Sequence, residues 1–251
     1  MTPYIDKLIS TIIFILFLTV YMSSELHADE ISDTKKTATF KFIDDKDTQF
    51  KSQHKKLIKN KAETAINEVS NLMPNLASSI HFNVLITDRD LTVVNGVSGR
   101  ADTPTQIEII ISSSYKNGLT DAILDGLEFT LFHELHHTVR GWTIHDNKFP
   151  AGIDTAAVNE GLADMFASIY TNNHSNHYSN KVDLDSWVKE IKSLPKNASY
   201  SEWMFSHPDG RQAIGYRAGT HIIKKAMDKT DKTILELSKM SVEKIYKLAG
   251  Y

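Results

Sequence analysis

Hydrophobic positions change their period several times along the chain, and each change marks an element. Residues 8–21 form an almost unbroken apolar run, and the polar stretch that follows has no clear period. Within that stretch residues 37–42 alternate weakly, as an edge strand does. From about residue 53 to 73, Leu57, Ala62, Ala65, Ile66, Val69 and Leu72 recur at helical spacing, and Pro74 closes the run. Residues 80–86 alternate at period two and predict a strand with His81 on its solvent side. Residues 91–94 read as a second short strand, 95–99 as a glycine-bearing turn, and 106–112 as the strongest strand in the chain. Ile123, Leu124, Leu127, Leu131, Leu135 and Val139 then restore the three- and four-residue step of an amphipathic helix, which Gly141 caps. A second helical pattern covers residues 156–170, and residues 171–180, rich in Asn, Ser and His, read as a loop. Trp187, Ile191 and Leu194 predict another helix before Pro195, and two more are expected between residues 209 and 248. Strands first and helices afterwards make an α+β fold: a small N-terminal sheet, an active-site helix, and a mainly helical C-terminal half.

The N-terminal run changes how the rest is read. Lys7 gives a thin positive region ahead of it, and small and polar residues follow it down to Ala28. That order predicts a secretory signal peptide over residues 1–28. The run is short for a span, which needs about twenty residues; an uncleaved anchor is the alternative. Residues 29–48 are then a flexible mature N-terminus and 49–251 the functional domain, placed outside the cytoplasm, periplasmic or secreted, with no stable membrane insertion once the signal is removed. The 251-residue chain has no cysteine, which excludes a disulfide framework, a thiol nucleophile and thiolate metal ligands. A net charge of -3 points away from a nucleic-acid partner.

The chemistry sits in His133-Glu134-Leu135-His136-His137, an H-E-x-x-H sequence on the predicted helix. His133 and His137 are one turn apart on one face, so both imidazoles can reach one cation, and neutral imidazole suits zinc. Glu134 is rotated away from the first ligand, where its carboxylate can act as general base on an activated water. His136 points about a hundred degrees from its neighbour and reads as a structural histidine.

A tetrahedral site with one open position needs a third protein ligand. A ligand ten residues after His133 would be Thr143, and His145 is out of register, so Glu160 on the next helix is the better candidate. Gly161 and Ala163 are small, which is expected to let that helix approach the first closely. Asp164, one turn after Glu160, is placed to accept a hydrogen bond from the outer N–H of a ligand histidine.

His133-Glu134-Leu135-His136-His137 followed by Glu160-Gly161-Leu162-Ala163-Asp164 resembles the gluzincin metallopeptidases, in which H-E-x-x-H and a downstream E-x-x-x-D share one zinc. The wording, with Arg140 three residues on, looks especially like a bacterial group of predicted zinc-dependent proteases. The resemblance covers residues 127–168 well and 215–223 weakly. It implies a zincin-like fold in which His133, His137 and Glu160 bind zinc, Glu134 is base and proton shuttle, and Asp164 orients a histidine. It also implies an oxyanion donor from the C-terminal half, for which Tyr216 ranks first and His221 second.

The resulting expectation is an exported zinc metalloendopeptidase acting on a peptide or protein substrate, with Glu134 activating a zinc-bound water. An edge of the strand at 106–112 is expected to bind extended peptide by strand addition. Another zinc hydrolase, an aminopeptidase or amidase, and a non-catalytic extracytoplasmic metal- or partner-binding module are the alternatives. Substrate preference and oligomeric state are not encoded in any of these motifs.

Overall fold

A computed structural model describes residues 36–145, 151–173 and 183–251. The predicted signal peptide, residues 146–150 and most of the 171–180 loop lie outside the described residues.

Four strands form one sheet in the order β1 (Thr37–Ile43), β2 (Ser79–Thr87), β4 (Gln106–Ser112), β3 (Val97–Thr103). The first three are mutually parallel and β3 runs antiparallel to β4. Alternation places Ile80, Phe82, Val84 and Ile86 of β2, with Ile107, Ile109 and Ile111 of β4, on one buried face. His81 lies on the opposite, exposed face, as its position in the alternation predicts. The weak alternation at residues 37–42 is a true edge strand: Phe40 stacks on Phe82 at 5.2 Å, so the fold begins well before residue 49.

The sheet departs from expectation on its other side. Residues 91–94 are not a strand; Thr92–Val94 is a 3-10 turn, and Asn95 (φ 55°) and Gly96 (φ 84°) reverse the chain directly into β3. The inner face of β3 is Val97, Gly99 and Ala101, too small to carry a hydrophobic alternation. Because β3 covers it, β4 is an interior strand and not an edge, so the peptide-binding edge expected at residues 106–112 is not available there.

Helices pack on the buried face. α1 (Ser52–Leu72) buries Ile58, Ala62, Ala65, Ile66 and Val69, following the predicted period. The long periodic segment that follows is two helices, α2 (Leu119–Asp125) and α3 (Leu127–Arg140). The break is at Gly126, where a Cβ would lie 2.5 Å from the carbonyl oxygen of Asn95. The break also leaves Leu124, counted in the apolar stripe, 53% exposed.

α4 (Ile153–Thr171) is buried nearly all round, with α3 on one side and the C-terminal helices on the other. α5 (Leu184–Lys192), the short α6 (Tyr200–Met204), α7 (Ile214–Thr230), α8 (Ile234–Leu237) and α9 (Val242–Ala249) complete the helical half, three helices where two were expected after residue 209. Gly161 of α4 serves a different neighbour from the one expected. A Cβ on Gly161 would meet the carbonyl carbon of Gly219 in α7 at 2.3 Å, and one on Gly219 would meet Ala157 O at 1.9 Å. Backbone packs on backbone at this α4–α7 crossing.

That contact reverses the usual sign of a substitution. Helix propensity alone favours Gly161→Ala by about 1 kcal/mol. Forcing α4 and α7 apart opposes it by roughly 1–3 kcal/mol or more. Urea unfolding should therefore show Gly161→Ala and Gly219→Ala less stable than the parent; a gain in midpoint would refute the close approach.

Candidate metal centre

α3 carries two chemistries on one cylinder. Leu127, Leu131 and Leu135 form the apolar stripe, each at most 1% exposed. His133 lies two residues from Leu131, about 200° around the axis, so burial of the leucines aims the histidines at α4. His133, Glu134, His136 and His137 are all buried, with His137 fully so. At the helix end Gly141 takes a left-handed conformation (φ 73°).

The structure brings together His133, His137 and Glu160 as a group able to hold a metal ion. Nε2 of His137 is 2.9 Å from Nε2 of His133, and Oε2 of Glu160 is 3.2 Å from the first histidine and 3.1 Å from the second. Ligand bonds of 2.0–2.1 Å in a tetrahedron separate adjacent donors by about 3.3 Å. The three edges match, and the donor set of two imidazoles and one carboxylate suits zinc.

The surrounding contacts orient this trio. Nδ1 of His133 is 3.0 Å from Oδ1 of Asp164. Donation to that carboxylate places the proton on Nδ1 and turns the lone pair of Nε2 toward Glu160. Burial pulls the His133 pKa down, but hydrogen bonds to Asp164 and Glu160 outweigh it and raise the value to about 10. Burial lowers that of His137. Glu160 is held from behind as well: Trp142 Nε1 donates to its Oε1 at 3.1 Å and Tyr200 Oη donates to the same oxygen at 3.2 Å. One carboxylate oxygen is thus occupied by two neutral donors and the other faces the histidines.

Glu134 is 5% exposed, and its Oε2 has no hydrogen-bond partner among the described residues. Its side chain lies against β3, where a Cβ on Gly99 would come within 2.5 Å of Glu134 Cγ. Glycine at 99 is therefore what lets the strand lie on the carboxylate. The register also fixes which backbone groups face out from β3. Gly96 O accepts from Ser112 N, so residues 98 and 100 point toward β4 and residues 97, 99 and 101 point away. Ala101 O accepts from Ile144 N, and Val97 O from Thr130 Oγ1 at 3.3 Å, which leaves Gly99 between them beside Glu134.

The remaining sequence candidates separate. Tyr216 on α7 is half-buried, and its hydroxyl pKa is raised by burial and by the negative charge of Glu160. His221 does not join it. Five residues along the helix is about 140° around the axis from Tyr216, and its Nε2 is 3.2 Å from Asp185 Oδ1 on α5. His136 is structural: Ser238 Oγ donates to Ile234 O, so His136 Nε2 donates to Ser238 Oγ at 2.9 Å. Arg140 is likewise a clamp, donating to Asn159 Oδ1 at 2.6 Å and to the carbonyls of Ser238 and Met240.

A family model described as "Predicted Zn-dependent protease (DUF2268)" matches residues 58–247. The chain belongs to this family. Comparisons with curated proteins and with solved structures gave no match. The matched span contains the whole H-E-x-x-H helix, Glu160 and Asp164, together with Trp142 and Tyr200, which the sequence reading missed. Trp142 had a detectable signal, since an indole just past a helix cap is commonly buried and then needs an acceptor for its N–H. Tyr200 had none, because only the fold returns α6 to Glu160.

Loss of outer-sphere partners typically weakens metal binding by about 10- to 100-fold. Trp142→Phe and Tyr200→Phe should each weaken zinc affinity in a chelator competition, and the double variant more. Unaltered affinity in the double variant would remove both from the centre. A raised His133 pKa means that protons compete for the same nitrogen, so affinity should fall as pH falls from 9 toward 6.

Proposed function

We propose that this chain is an exported zinc metalloendopeptidase of the gluzincin type. The observation that carries the reading is the buried His133–His137–Glu160 trio with the unpartnered Oε2 of Glu134 beside it. Two histidines, a carboxylate and an adjacent free carboxylate oxygen are the parts that metal-assisted hydrolysis requires. Export rests on the signal-like pattern of residues 1–28 alone. Membership of a predicted protease family favours a peptide substrate over other acyl compounds.

Zinc bound by this trio would acidify water and polarise the carbonyl under attack. The chain's own groups supply the remainder. His133 and His137 present lone pairs from one helix face, and Glu160 adds the negative charge that keeps the centre near neutrality. Oε2 of Glu134, which has no competing donor, takes the proton of the attacking water and returns it to the leaving amine. Burial of the trio excludes bulk water, which strengthens each electrostatic contact. Tyr216, a phenol that is neutral at ordinary pH and whose pKa burial raises further, keeps an O–H that can donate to the developing oxyanion.

Substrate placement follows from β3. Gly99 turns both its N–H and its C=O outward beside Glu134, and an extended peptide can pair with that residue through two hydrogen bonds. Recognition of this kind reads the backbone and leaves side-chain preference to other surfaces.

The test combines metal analysis with hydrolysis of a quenched peptide by the full-length protein. The parent should hold near-stoichiometric zinc and cleave. Glu134→Gln should keep its zinc and lose activity by about 10²-fold or more. Glu160→Ala should lose zinc, and Tyr216→Phe should keep zinc while turnover falls by about 10²-fold. A parent without zinc would sink the reading, and full activity in Glu134→Gln would sink the mechanism.

A further inference from the structure

Phe205 is a large apolar side chain, 55% exposed, at the end of α6. Single exposed apolar residues are ordinary on protein surfaces. Phe205 differs in what it touches. Its ring centroid lies 6.0 Å from that of Tyr200 and 6.3 Å from that of Tyr216. Tyr200 donates to the candidate ligand Glu160, and the charges of Glu160 and Glu134 are felt at Tyr216. The three rings therefore form one aromatic surface running from the metal centre to solvent.

This surface is also held in place. Phe205 N donates to Ser201 O, and Phe205 O accepts from Ala213 N at 2.8 Å. Ser206 and Gln212 pair in an antiparallel bridge, which closes residues 205–213 into a small hairpin. Arg211 braces it: the guanidinium forms a two-pronged contact with Glu190 on α5 at 2.6 and 2.9 Å and bonds Asp209. Its other contacts are the faces of Trp187 and Trp203, at 5.4 and 5.8 Å. A ring carried on a braced hairpin has its backbone already ordered, so covering it yields hydrophobic gain without a backbone ordering cost.

The geometry points to Phe205, with Tyr200 and Tyr216, as a subsite for a large apolar or aromatic side chain of the peptide next to the scissile bond. The inference rests on the peptidase reading and adds a substrate class to it: peptides with Phe or Leu near the cleavage point are preferred over those with Asp.

Zinc-loaded full-length protein should be assayed on quenched peptides of one core sequence, with Phe, Leu, Ala or Asp placed in turn at each position flanking the scissile bond. At one position the parent should favour Phe and Leu. Phe205→Ala should lower kcat/KM for those peptides by about tenfold or more, chiefly through KM. Zinc content and cleavage of the Ala peptide should stay unchanged. Phe205→Leu should retain most of the preference, and Phe205→Lys should move it toward Asp. Equal loss on every peptide, or an intact preference in Phe205→Ala, would overturn the subsite. Direct binding of the same peptides to zinc-loaded Glu134→Gln separates this outcome from failure of the peptidase reading. If the parent cleaves nothing, stronger binding of the Phe peptide that Phe205→Ala abolishes upholds the subsite. Equal binding of Phe and Asp peptides rejects it.

Discussion

Three lone-pair atoms within about 3 Å of one another, in a place that water scarcely reaches, are the constraint on which the rest of the molecule depends. Nε2 of His133, Nε2 of His137 and Oε2 of Glu160 repel one another unless a cation or shared protons lie between them. A buried carboxylate alone costs several kcal/mol of lost hydration. Glu160 is fully buried, and Glu134 and Asp164 nearly so. The donors around them offset part of this: Trp142 and Tyr200 on the far oxygen of Glu160, and His133 on Asp164. All three contacts hold their partner in the orientation that points the remaining lone pair inward.

Such an arrangement survives only on a stiff frame. Burial of one Leu or Phe is worth roughly 1.5–3 kcal/mol, and Leu127, Leu131, Phe132 and Leu135 of α3 all have 1% exposure or less. Arg140 then locks the end of α3 to α4 through Asn159 and to the segment before α9 through two carbonyls. From the other side, the Gly161–Gly219 crossing brings α7 close against α4, and the charge of Glu160 is felt at Tyr216 on α7. The metal centre, the helix crossing and the arginine clamp are therefore parts of one mechanical unit, although they lie far apart in sequence.

The cluster was legible in the sequence because helical periodicity alone brings His133 and His137 together, and the E-x-x-x-D spacing does the same for Glu160 and Asp164. Legibility stopped where a role depends on contacts between elements. Gly161 in α4 announced a close approach, but not that its partner is α7. β3 was hidden because its inner positions, Val97, Gly99 and Ala101, carry little hydrophobic bulk, and they are small because Glu134 and α3 lie against them. Tyr216 ranked ahead of His221 in the sequence on the family resemblance alone, and the packing of α7 separates them physically: the negative charge of Glu160 is felt at Tyr216, and His221 lies against Asp185.

On the peptidase reading, the two sides of the centre divide the work of recognition. The sheet side touches Glu134 and presents the backbone of Gly99, which senses any extended peptide alike. The helical side touches Glu160 and presents rings from residues 200–216, which sense side chains. A backbone-reading edge cannot be altered without moving the general base, since Gly99 lies directly on Glu134. The hairpin of residues 205–213 is braced by its own ion pairs and shares no ligand with the metal. Its exposed ring can therefore vary while the chemistry stays fixed. On this reading the general base is tied to the strand that lies on it, and selectivity to an exposed ring that touches neither the ligands nor the base.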